Sequence, residues 1–117
     1  MRWWTLQQLK SKNPKVRIEA LGRLADHPSD SDLTALLACL KDEAPSVRAA
    51  ATCAIGKLPG PQIVTYLQAA LNDPAPEVRL AALGELTRPG EHNSVAAIES
   101  ALRDASGLVR RQAAMAL

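Results

Sequence analysis

Apolar residues along the chain fall into two alternating stripes of helical period. Val16, Ala20, Leu21 and Leu24 stand at i, i+4, i+5 and i+8, with Lys15, Glu19 and Arg23 between them, and this spacing predicts an amphipathic helix. Pro14 suits its first turn, where an N–H would have no intrahelical partner, and Asn13 suits its N-cap. The run stops at His27-Pro28-Ser29, a turn signal. Leu33, Leu36, Leu37 and Leu40 then predict a second helix, with Ser29 as its cap and Asp30 and Asp32 in the opening turn, where the helix dipole favours negative charge. No segment sustains a period-two alternation, so no strand is expected.

The pair recurs every 31 residues. Val16 returns as Val47, Val78 and Val109; Ala20 as Ala51, Ala82 and Ala113; Leu24 as Ile55, Leu86 and Leu117. Proline opens the helix again at Pro45 and Pro76, and Gly107 takes that place in the last copy. Turns are expected at Leu58-Pro59-Gly60-Pro61 and Arg88-Pro89-Gly90. The second stripe returns as Val64, Leu67 and Leu71 and then as Val95, Ile98 and Leu102. A repeat of this length predicts an all-α, right-handed α-solenoid of stacked helical hairpins, because one hairpin cannot bury its apolar face alone. Residues 1–117 then form one repeat domain: a leading half-repeat 1–12, units 13–43, 44–74 and 75–105, and a half-repeat 106–117. The last helix, Leu108 to Leu117, ends in apolar sequence without a polar cap, so the chain is read as a segment of a longer array, with self-association through that open helix as the alternative remedy.

Composition narrows the core. Of 117 residues 47% are apolar, yet there is no Phe, one Tyr and two Trp, so Leu, Val, Ile and Ala must fill the interior. Cys39 falls in the slot of Ala70 and Ala101, and Cys53 in that of Gly22, Gly84 and Met115; both read as small core fillers and imply a reducing compartment. No run approaches a membrane span and the start lacks a signal-peptide core, which makes a soluble cytoplasmic protein the default expectation. Residues 1–24 carry six Lys/Arg against Glu19, a net +5, leaving −3 on the rest. That basic end, with Trp3 and Trp4, is the only feature favouring nucleic acid. One Trp is expected to close the end of the core and the other to lie across the exposed edge.

The most regular polar positions are an arginine ladder (Arg17, Arg48, Arg79, Arg110) and an aspartate ladder (Asp42, Asp73, Asp104). An aspartate accepts from turn N–H groups and from arginine, so the pair reads as a tie between hairpins. A row of phosphate-binding arginines is the competing reading. The order of Asp42-Glu43-Ala44-Pro45-Ser46-Val47-Arg48 and Asp73-Pro74-Ala75-Pro76-Glu77-Val78-Arg79, an aspartate and turn followed by Pro-x-Val-Arg and an Ala/Leu-rich helix, resembles HEAT-like repeats of the short bacterial type, also found in phycobilisome lyases. The resemblance covers essentially the whole chain. It implies an interaction or scaffold module, or a phycobilin lyase-like accessory factor, and is nearly silent on which.

Catalytic signals are lacking. There is no Gly-x-Ser-x-Gly and no phosphate-binding glycine loop. A resemblance to deoxyhypusine hydroxylase extends only to the repeat type: its iron-binding His-Glu pairs are missing, since His27 precedes Pro28 and His92 follows Glu91, and both histidines are expected exposed in turns. No metal and no cofactor is expected. Second helices of such hairpins are expected to line the concave side, where Thr34, Lys41, Thr65, Tyr66, Asn72, Ser100 and Arg103 lie off the apolar stripes. These small, mixed side chains suit a protein or peptide partner better than a phosphate backbone, so the expected function is non-catalytic protein binding.

Overall fold

The computed structural model describes residues 2–117. Among them are eight α-helices and no strand: α1 (Arg2–Gln8), α2 (Pro14–Asp26), α3 (Leu33–Cys39), α4 (Pro45–Gly56), α5 (Gln62–Ala70), α6 (Pro76–Thr87), α7 (Val95–Ala101) and α8 (Gly107–Met115). The longer helices α2, α4, α6 and α8 open at Pro14, Pro45, Pro76 and Gly107 and stack one on the next; the short helices pack chiefly on the long ones. The product is an α-solenoid, elongated at 40 × 26 × 18 Å.

The long-helix stripe is the spine of the core. Ala20, Leu21, Val47, Ala51, Ile55, Val78, Ala82, Leu83, Leu86, Val109 and Ala113 are all essentially inaccessible. Alanine in the same slot of every copy lets neighbouring backbones approach closely, while the larger Leu, Ile and Val fill the space on either side. The turns after α4 and α6 need Gly60 and Gly90, whose φ values of 111° and 137° lie where a Cβ is not tolerated. Each follows a proline.

Several local expectations change. Asn13 caps α2 through its side-chain oxygen, which accepts from Lys15 N–H at 3.0 Å. Ser29 does not cap the second helix: its hydroxyl pairs with Ser31, and a 3-10 turn over Asp30–Asp32 precedes α3. Asp32 is not a solvated dipole partner either, because it is buried and paired with Arg2. On the second helices the buried stripe is rotated. Ile63 is completely buried while Val64 is only half-buried, and in α7 the buried residues are Ala97, Ile98 and Ala101, with Val95 exposed. The reason is that a short helix is clamped between two long ones and so buries a broader face than a single stripe.

Candidate functional site

The ladders meet in space at each junction. Arg48 donates from Nε (3.0 Å) and Nη2 (3.1 Å) to the Asp73 carboxylate, a bidentate pair, and from Nη1 to the Asp42 carbonyl at 2.8 Å. Arg79 repeats this 31 residues on, with Nε and Nη2 on Asp104 at 2.9 and 3.1 Å and Nη1 on the Asp73 carbonyl at 2.8 Å. Arg17 reaches Asp42 through Nη2 at 3.1 Å, and its Nη1 donates to the Ser11 carbonyl at 2.6 Å. Each arginine thus joins the aspartate closing its own unit to the backbone where the previous unit closed. The aspartates also cap: Asp42, Asp73 and Asp104 accept from the N–H of Ala44, Ala75 and Ser106 at 2.9, 2.9 and 2.8 Å. That is why Ala44 and Ala75 suffice as N-cap residues and why the Ser106 hydroxyl is not used.

Burial and bonding oppose each other at these carboxylates. At Asp73 burial works to raise the pKa, but the hydrogen bond from Arg48, the Ala75 N–H and the nearby arginine charges outweigh it and hold the group below its ordinary value. Asp104 is likewise low: burial raises it, and the Ser106 N–H and Arg79 more than compensate. The guanidinium of Arg48 is raised by the same bond to Asp73.

Among the seven residues placed off the stripes, Asn72, Ser100 and Arg103 come together. They line an open groove of about 550 Å³ between α5 and α7, with Leu71, Ala96 and Glu99. Thr34, Lys41 and Thr65 are exposed outside it. Tyr66 is not a free surface group; it is half-buried against the core and lines a small cavity beside Arg48, Thr52 and Asp73. The face that carries these residues is the more widely spaced of the two helix rows, since it is the long helices that stack directly.

A family model for HEAT repeats matches residues 4–73 and 63–117, which between them take in nearly the whole chain. The chain belongs to the HEAT-repeat family. A search of curated proteins finds no match.

In this HEAT-repeat stack a second polar cluster, invisible to the sequence pattern, ties the turns together. Glu85 is buried on α6, held by Lys57 Nζ at 3.2 Å and Arg88 Nη2 at 2.7 Å. Glu91 accepts from the Gly60 N–H at 3.0 Å, and His92 is buried rather than exposed, donating from Nε2 to the Leu58 carbonyl at 2.6 Å. Both cations are already committed to Glu85, so the cavity of about 310 Å³ beside them presents no spare charge. The only sequence signal was Glu85 itself, a carboxylate in the slot where the neighbouring repeat has Ala54.

The thiols offer no nucleophile: burial pushes both Cys39 and Cys53 up from their ordinary pKa, with Asp42 and Glu85 adding to it. Among the described residues no group of three or more His, Cys, Asp or Glu could hold a metal, and no helix is long and apolar enough to cross a membrane.

Both ends of the stack are open. Neither Trp closes the core: Trp3 is 67% and Trp4 60% exposed, their rings 6.0 Å apart, while Thr5 and Leu9 face inward. Repeat register explains it. Trp3 shares a slot with Thr34, Thr65 and Ala96, exposed in every copy; Trp4 shares one with Ala35, Tyr66 and Ala97, which are half-buried or buried. Trp4 is therefore a packing position with no long helix set against it among the described residues. Arg2 anchors α1 instead, pairing with buried Asp32 and the His27 carbonyl.

Proposed function

We propose that this chain is a non-catalytic protein-binding module whose partner, a protein or peptide, lies in the groove between α5 and α7. HEAT repeats commonly mediate protein–protein interaction and are typically non-enzymatic scaffolds. The observation that carries the reading is the convergence of Asn72, Ser100 and Arg103 on one open groove, beside Glu99. Amide, hydroxyl and guanidinium groups of that kind satisfy the carbonyls and N–H groups of a bound segment, while Leu71 and Ala96 supply apolar contact. A single arginine offset by a glutamate suits a mixed polypeptide surface, not the repeated charge of a nucleic-acid backbone.

The test is site-specific photo-crosslinking in the host cell, with the reactive residue placed at Asn72 or Ser100 and, as control, at Glu91 on the opposite turns. The groove positions should yield the same discrete protein adduct, absent from the control and lost when Arg103 is reversed to Glu. Equal labelling at all three sites, or none in the groove, would rule the reading out.

A further inference from the structure

The open face of α8 points to a second, more specific contact. In α2, α4 and α6 the slots Leu21, Thr52, Leu83 and Leu24, Ile55, Leu86 are buried, at 4% exposure or less. Their equivalents on α8, Ala114 and Leu117, are exposed, Leu117 at 80%. Arg110 is open in the same sense. Its Nη1 donates to the Asp104 and Ala105 carbonyls at 2.7 and 3.1 Å, as Arg48 and Arg79 do to theirs, yet no carboxylate among the described residues lies within ion-pair distance of it. Arg111 is exposed beside it.

What fills this socket elsewhere is visible three times in the same chain. After each earlier long helix comes a short one with apolar residues four apart and an aspartate two further on: Leu36, Leu40 and Asp42; Leu67, Leu71 and Asp73; Ile98, Leu102 and Asp104. In each case the aspartate takes the arginine of the long helix. We infer that α8 is the docking site for an amphipathic helix of a partner protein with that same spacing, its terminal acid received by Arg110.

A second copy of this chain fits less well. Its α1 offers Thr5 and Leu9, then Ser11 where the aspartate belongs, and it would bring Arg2, Lys10 and Lys12 toward Arg110 and Arg111. Like charges and a missing acid both weigh against it. The inference shares with the groove reading only the premise of a binding module, and it uses a different surface.

The probe is a peptide of residues 61–75, held helical by a crosslink between its exposed positions 65 and 69, titrated against the full chain by fluorescence polarisation. Binding is expected, weakened about tenfold or more by Asp73→Asn in the peptide or by Arg110→Ala in the protein, as for loss of a charge-assisted bidentate pair. Ala114→Arg should abolish it by occupying the socket. Both protein substitutions are on exposed positions, and an unchanged melting temperature verifies that each variant is folded. Ser100→Glu in the groove should leave peptide binding intact, so that failure of one reading is separable from failure of the other. No binding, or binding indifferent to Arg110 and Asp73, overturns the inference. So does sedimentation equilibrium that finds the chain alone dimeric and made monomeric by Arg110→Ala or Trp4→Ala, because the socket would then belong to a second copy.

Discussion

A single carboxylate does two jobs at every junction of this solenoid. Asp73 caps the next long helix through its own N–H acceptor geometry and receives the bidentate Arg48, so its ionised form is stabilised against the opposing effect of burial. Asp104 behaves alike. Their folded pKa values lie below an unfolded value of about 3.9, so the unfolded state binds protons more readily. The stability these groups contribute is fully present above that unfolded value and is lost as pH falls through the depressed folded values. Urea midpoints measured from pH 7 down to pH 2.5 should therefore drop more steeply for the natural chain than for an Asp73→Asn, Asp104→Asn double variant, which should also be the less stable of the two at pH 7. Parallel curves would show that the ladder is not what acid attacks.

At the scale of helices, the contact between α4 and α6 shows how one small residue permits a buried charge. Gly56 closes α4, and a Cβ placed there would lie 2.4 Å from Glu85 Oε1 and 2.5 Å from its Cγ. Because Lys57 and Arg88 hold that carboxylate from two sides, it cannot swing away without breaking both bonds. Gly56→Ala should consequently destabilise the chain by about 1 to 3 kcal/mol, even though alanine is the better helix former. In a Glu85→Ala background the same substitution should become neutral or stabilising. A chemical-denaturation cycle across the four proteins measures this coupling, and additive effects would contradict the packing account.

For the whole molecule, stability is distributed along the stack, since each long helix touches only its neighbours in sequence. The central α4 and α6 are covered on both sides, whereas α8 is covered on one and leaves Leu108, Met115 and Leu117 in solvent. Amide hydrogen exchange should then run in order, slowest in α4 and α6 and fastest in α8, each as a local opening and not as one global event. Uniform protection along the chain would indicate a single cooperative unit. Adding the helical peptide of residues 61–75 should slow exchange in α8 before any other element.

The repeating pattern of Pro, Val, Arg, Ala and Leu determined by itself that the protein is a row of helical hairpins and where each long helix starts, because periodicity and proline act locally and every copy votes for the same register. It also brought Asn72, Ser100 and Arg103 forward as surface positions, as residues off an apolar stripe must be. Tertiary structure alone decided the rest. Which side of a short helix is buried depended on two neighbours clamping it, and so Ile63 and Asp32 went inward while Val95 stayed out. Buried His92 and Glu85 owe their places to turns from adjacent units meeting, and both tryptophans are exposed because nothing stands against the far side of α1. Contacts between residues some 30 positions apart leave no trace in local pattern, which is why the ladder could be seen in the sequence only as two rows and not as a set of joints.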